Sequence, residues 1–194
     1  MACVEIRECV PSSAEEYRPF PDEAGRNSRQ ALVEVPLMVR ALGLPIGGRV
    51  LEVGCGRGVA LAVLARLLRP SRLVGLDRDA GFLREAGSRL AGCGVTAVLV
   101  PGDVRRLPFP DAAFDLVIDF GTCYHIARSE AALAEIARVL TPGGLFAHET
   151  PLNQFFSHPV RSLGRRIPWR LAPRFARKRA VLLWSTRRVT EAVP

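Results

Sequence analysis

Apolar residues follow two different rhythms along this chain. In residues 28–42, Leu32, Val35, Val39 and Leu42 recur at helical spacing, which predicts a helix with Asn27 or Ser28 as its N-cap. Pro36 lies inside that run and predicts a kink or a split. Ahead of it, Pro11, Pro19 and Pro21 break any long element in residues 1–26. After Gly47-Gly48 the rhythm changes to short continuous apolar runs alternating with longer amphipathic ones. Residues 49–53, 72–76, 95–100, 114–119 and 145–149 read as strands, and residues 59–68, 80–90 and 129–140 as helices between them. The turn Pro142-Gly143-Gly144 leads into the fifth strand, and residues 180–185 read as a sixth with a seventh in doubt. Strands alternating with helices, and strands apolar on both sides, predict a doubly wound, mostly parallel α/β sheet.

Such sheets bind ligands beyond the C-terminal ends of their strands. After strand one comes Glu52-Val53-Gly54-Cys55-Gly56-Arg57-Gly58, three glycines at alternate positions where a backbone turns tightly or lets a ligand close. The spacing is GxGxG. Val59 stands where a dinucleotide loop puts its third glycine or alanine, and the phosphate-loop pattern GxxxxGK[ST] is absent. The alternative is a glycine turn with no ligand. After strand two, Asp77 suits ribose hydroxyls, while Asp79 reads as the cap of the next helix. After strand three, Asp103 suits an exocyclic amine, or else bonds its own turn.

Taken together, Glu52 to Gly58, Gly75-Leu76-Asp77, the run GDVRRLPF from Gly102, FDLVI from Phe114 and EIARVLTPGGLF from Glu135 resemble the class I S-adenosylmethionine-dependent methyltransferases. Within them they are most similar to the type 11, UbiE-like, small-molecule branch. The resemblance covers residues 49–149 and rests on the order of the five motifs. It implies S-adenosyl-L-methionine as cofactor. Gly54, Cys55, Gly56 and Gly58 would form the loop at its methionine part, with Glu52 supporting the loop. Asp77 would take the ribose hydroxyls, and Arg78 would border the adenine. Asp103 would bond the adenine amine beside the Val104 backbone, and Asp119 and Phe120 would line the methionine side. His125 is the candidate catalytic base in Tyr124-His125, against the simpler reading that it packs structurally and that aligning the nucleophile suffices. The side chains of Cys55 and Cys123 read as small and buried.

Composition refines this picture. The chain has 194 residues and suits one domain: an N-terminal helical lid (1–46), a cofactor-binding core (47–150) and a substrate-side tail (151–194). Its net charge of +8 is unevenly placed. Residues 1–150 carry 17 arginines against 18 carboxylates, whereas residues 151–194 carry ten basic residues against one glutamate. In the tail, aromatic residues such as Phe155, Phe156, Trp169 and Phe175 interleave with the arginines. A substrate lid is expected there, with a membrane-surface element through residues 151–180 as the rival and nucleic acid disfavoured. Five scattered cysteines without a CxxC pair indicate neither a zinc site nor a disulfide framework, so a cytoplasmic protein without metal is expected. The expected reaction is methyl transfer to an O, N or C nucleophile of a small or lipid-like molecule. The rivals are a catalytically silent binding module, a nucleic-acid methyltransferase and, weakest, an NAD-dependent oxidoreductase. Oligomeric state is not legible.

Overall fold

The structure is a computed structural model and describes residues 23–123 and 126–149. Five strands form one sheet in the order β3-β2-β1-β4-β5: β1 (Arg49–Val53), β2 (Arg72–Asp77), β3 (Val98–Pro101), β4 (Phe114–Asp119) and β5 (Leu140–His148). Every neighbouring pair is parallel. The chain builds outward from β1 to β3, then crosses back to place β4 on the other side of β1. That reversal is the topological switch point, where open parallel sheets hold their ligands.

Alternate residues of each strand serve two cores. Val50, Leu73, Leu99, Leu116, Ile118 and Ala147 pack under α2 (Val35–Leu42), α3 (Val59–Leu68) and α4 (Ala80–Gly92). Leu51, Val53, Val74, Leu76, Val117 and Phe146 pack under α5 (Ser129–Val139). Each large aliphatic side chain fully buried this way contributes roughly 1.5–3 kcal/mol, which is why the charged residues of β1, β2 and β4 sit toward the strand ends, Arg49, Arg72 and Asp115 at one edge and Glu52, Asp77 and Asp119 at the other.

Several element boundaries depart from the pattern-based expectation. The N-terminal helix begins earlier, with α1 (Glu23–Arg29) running through a π-helical stretch (Gln30–Glu34) into α2. In that stretch the N–H of Val35 reaches Gln30 O, five residues back. Pro36 has no N–H and its ring crowds the carbonyl four residues before it, so the widened turn removes the conflict without breaking the run. Strand β3 starts at Val98 because Val95 instead closes α4. Gly94 takes φ +64° and the Val95 N–H bonds Leu90 O at 2.9 Å, the usual glycine-terminated helix end. Strand β2 runs one residue further, to Asp77. Strand β5 starts at Leu140, with residues 141–144 looped out: Leu140 pairs with Phe114 and Leu145 with Leu116. The Pro-Gly-Gly turn therefore sits inside the strand as a bulge. The proposed sixth strand lies outside the described residues.

At the N-terminal edge, Arg49 clips β1 to β4. Its backbone N–H and guanidinium both bond the Asp115 carboxylate, at 2.8 and 2.9 Å. At the opposite edge stand the side chains with chemistry.

Candidate functional site

The loop after β1 is shaped by three glycines that do three different jobs. Gly54, Gly56 and Gly58 all have positive φ, +64°, +50° and +72°. A Cβ on Gly54 would lie 1.7 Å from Thr122 Oγ1, so this glycine lets the loops after β1 and β4 touch. A Cβ on Gly58 would lie 2.9 Å from Ala86 Cβ, so this glycine lets α3 and α4 pack. A Cβ on Gly56 would meet no protein atom within 4 Å beyond its chain neighbours. Its missing side chain faces open space, the one place in the loop where glycine admits something other than the protein itself.

Arg57 ties this loop to α4. Its guanidinium lies 4.4 Å above the Phe82 ring and bonds Glu85 at 2.6 Å, and its carbonyl accepts from Arg89 at 2.9 Å. The loop is also fastened from β2. Asp77 Oδ2 accepts the Gly56 N–H at 2.8 Å and Oδ1 accepts the Asp79 N–H at 2.9 Å. An ionised carboxylate offers about four acceptor sites, so Asp77 keeps capacity for hydroxyl donors. Burial pushes its carboxyl above the ordinary value, against the pull of those two N–H groups. Asp79 caps α4, accepting the N–H groups of Gly81 and Phe82 at 2.7 and 3.1 Å. The cap at Asp79 is the one the sequence predicted.

Glu52 is fully enclosed, on the α3 side of β1, and its Oε2 has no hydrogen-bond partner. Burial, with Asp77 and Asp119 nearby, pushes its carboxyl well above the ordinary range. Arg26 of α1 and the Leu61 N–H pull only partly the other way. Arg26 and Arg29 also grip Glu34 within the N-terminal helical run. A buried carboxyl with an orphan oxygen is costly unless a donor or cation satisfies it.

After β3, Asp103 accepts from the Arg105 backbone N–H at 2.8 Å and pairs with its guanidinium, which holds its carboxyl below the ordinary value. Val104 is buried beside it and Arg78 is exposed. The loop carrying Asp103 is anchored from α5. Glu135 accepts the Leu107 N–H at 2.7 Å, and Arg138 donates to Leu107 O at 3.0 Å and Phe109 O at 2.8 Å.

After β4, Asp119 has no exposed surface. Oδ1 accepts from the N–H groups of Gly121 and Thr122 at 2.9 and 2.6 Å. Oδ2 accepts from Cys123 N–H at 3.0 Å and faces His148 Nδ1 at 2.9 Å. Burial drives its carboxyl upward, yet His148 and those N–H groups outweigh it and hold the group below its ordinary value. Asp119 thus shapes the loop that would line the methionine side, and Phe120 is buried behind it. Cys55 and Cys123 are buried thiols, pushed upward chiefly by burial. Cys55 Sγ packs toward Gly75, so what Cys55 offers the mouth of the loop is backbone. Tyr124 and His125 lie outside the described residues, as does the basic tail.

Glu52, Asp77, Asp103 and Asp119 all stand at or just beyond the C-terminal ends of their strands, and Asp77 reaches the Gly56 N–H. Glu52 and Asp77 approach from the α3–α4 face, Asp119 from the α5 face. An edge so rich in carboxyl groups, with acceptor capacity left on Asp77, suits a ligand with cationic and hydroxyl groups and suits a pyrophosphate poorly. S-adenosylmethionine fits those acceptors: its ribose hydroxyls and its amine donate, and its sulfonium and amine are positive. Motif reading missed His148, Thr122, and the Glu135–Arg138 anchor.

Comparison with known proteins agrees with this geometry. A family model described as a methyltransferase domain matches residues 51–148. The chain is 41% identical over 102 residues to a fatty-acid O-methyltransferase of Mycolicibacterium smegmatis, covering 53% of this chain and 36% of that one. It is 36% identical over 129 residues to a phthiotriol/phenolphthiotriol dimycocerosates methyltransferase of Mycobacterium tuberculosis, covering 62% and 47%. It thus spans between about a third and a half of these relatives' length. Among solved structures, the YcgJ protein of Bacillus subtilis superposes with a TM-score of 0.54 at 27% identity, over 64% of this chain and 55% of that one.

Proposed function

The chain belongs to the methyltransferase-domain family, in its type 11 branch, and from that premise we propose that it transfers a methyl group from S-adenosyl-L-methionine to a small, lipid-like acceptor. The observation that carries this reading is the open space at Gly56, braced by Asp77 through the Gly56 N–H. Gly54, Gly56 and Gly58 would hold the methionine part of the cofactor, with Glu52 beneath. Asp77 would bind the ribose, and Asp103 with Val104 the adenine. When bound, the cofactor supplies an electrophilic methyl group on a positive sulfur. The protein's own contribution is to orient that group, exclude water and align the acceptor's nucleophile.

A lipid-like acceptor is supported by the names of the two relatives, one a fatty acid and the other phthiotriol dimycocerosates. It is also supported by the tail, whose basic and aromatic residues suit a lid over such a substrate or contact with an anionic membrane surface. Among the described residues no helix is long and apolar enough to cross a membrane. The test is methyl transfer from radiolabelled S-adenosylmethionine to a panel of long-chain acids, phenols and short soluble analogues. Label in the long-chain products but not in the short ones supports the proposal. Label in the short ones alone contradicts the lipid-like acceptor.

A further inference from the structure

Among the described residues, Glu52 carries the one buried side-chain oxygen or nitrogen with no hydrogen-bond partner, Oε2, and the residue is 1% exposed. Three adjacent strands bring carboxyls together around it. On β2, Asp77 stands two residues beyond Gly75, the register partner of Glu52, and so shares its face of the sheet. On β4, Asp119 stands opposite Val53, the next residue of β1. Both aspartates act on Glu52, opposed by Arg26 of α1 and by the Leu61 N–H in the first turn of α3. Arg26 is itself committed to Glu34 at 3.0 Å, which Arg29 also holds, and Asp119 is answered by His148. Asp77 has two N–H groups on its oxygens, which favour its charged form. Glu52 has no such support: charged, it would be dry, with one oxygen unbonded and two carboxyls beside it. The group also belongs to the glycine loop. It lies two residues before Gly54, and its neighbour Asp77 holds the Gly56 N–H. Cys55, within the loop, is pushed upward by burial first and then by Glu52 and Asp77. A cation received by the loop joins a set of groups that already act on one another.

We propose that Glu52 is a neutral acid in the protein without ligand, and that a cationic ligand received by the glycine loop converts it to a carboxylate, so that cofactor capture releases a proton and depends on pH. The proposal rests on the methyltransferase reading above and adds a regulation of that same site. The O–H bond of Glu52 breaks, the proton passes to the buffer, and the electron pair stays on oxygen. The new negative charge is balanced by the positive charge the ligand brings. The sign of the dependence follows. Where Glu52 is protonated in the protein alone, each unit of falling pH weakens binding by up to about tenfold, because a proton competes with the ligand. Above that range the affinity levels off. The device also selects for charge: an adenosine thioether with no cationic group leaves Glu52 protonated and binds without this dependence.

The experiment is calorimetric titration of the wild type with S-adenosylhomocysteine in buffers of different ionisation enthalpy, which counts the protons released. It is run at about pH 6 and about pH 7, well above the ~4.3 of an ordinary glutamate, where such a group has no proton to give. Roughly half to one proton per site is expected, with affinity rising about threefold to tenfold per pH unit. Glu52→Gln keeps the shape of the neutral acid, so it should fold, and it should bind with no release and no pH dependence over this range. 5′-Methylthioadenosine, which has the adenine and ribose but neither amine nor positive sulfur, should release none. A second readout needs no variant. On addition of S-adenosylhomocysteine, the infrared difference spectrum of the wild type should lose a protonated-carboxyl band and gain a carboxylate band. Binding without proton release, release that persists in Glu52→Gln, equal release with 5′-methylthioadenosine, or an unchanged carboxyl band each overturns the proposal. Failure of the wild type to bind S-adenosylhomocysteine would instead overturn the methyltransferase reading itself.

Discussion

Replacing Gly56 with alanine separates binding from folding, because the three loop glycines meet such different surroundings. At Gly56 the new methyl group meets no protein atom within 4 Å beyond its chain neighbours, so its only internal cost is a φ of +50°. Left-handed backbone costs a non-glycine residue about 1–2 kcal/mol, and the stiffer unfolded chain returns about 0.4–1 kcal/mol. The net is about 1 kcal/mol, or roughly 2–4 °C in melting temperature for a domain of this size. If the space beside Gly56 belongs to the cofactor, the same methyl group displaces it. Affinity for S-adenosylhomocysteine should then fall at least tenfold, about 1.4 kcal/mol. Gly54→Ala and Gly58→Ala are the contrasting cases. Their Cβ atoms would lie 1.7 Å from Thr122 Oγ1 and 2.9 Å from Ala86 Cβ, so both should lose the fold before binding can be judged. Calorimetric titration beside thermal melts measures both quantities. A Gly56→Ala variant that melts a few degrees lower yet binds as tightly as the wild type would refute the reasoning, because the open space would then not be the ligand's.

Other outcomes follow from the same contacts. Asp77→Ala should weaken S-adenosylhomocysteine binding by about tenfold to a thousandfold, since charged hydrogen bonds contribute about 1.5–3 kcal/mol each. Asp79→Ala should leave affinity within a few-fold but lower stability by about 1 kcal/mol through the lost α4 cap; titration of the two variants side by side checks the assignment. Arg138→Ala should free the loop at Leu107 and Phe109, which faster amide exchange over residues 103–109 would report. Asp115 is held down to about 2 by the Arg49 guanidinium, against an ordinary 3.8. A lowered carboxylate stabilises the fold above its unfolded value, and that contribution is lost as pH falls from about 4 toward 2. Because the pair is more than a third exposed, Asp115→Asn should cost only about 0.5–1 kcal/mol at pH 7. The difference from wild type in chemical denaturation should shrink below pH 4.

The sheet was legible because its physics is local. Strands buried on both sides must be continuous apolar runs, and β1 and β4 lie where those runs are. Boundaries failed where a long-range or backbone-specific demand won. Pro36 widened the helix into a π turn, Gly94 drew Val95 into a helix end, and residues 141–144 bulged out of β5 instead of preceding it. Within the site, spacing distinguished Asp77 from Asp79, because a strand end and a helix cap place different demands on the two positions. It did not distinguish the jobs of the three glycines, since what each would strike, Thr122, open space or Ala86, comes from elsewhere in the chain. The pairing of His148 with Asp119 was illegible for the same reason: 29 residues separate partners that only the β4–β5 register brings together.

The account turns on what occupies the edge of the sheet at Gly56, and calorimetric titration of the wild-type protein with S-adenosylmethionine, S-adenosylhomocysteine and NAD tests it most directly. Saturable one-site binding of both sulfur compounds, with no heat from NAD, is the predicted result. Saturable NAD binding with no response to either sulfur compound would contradict it.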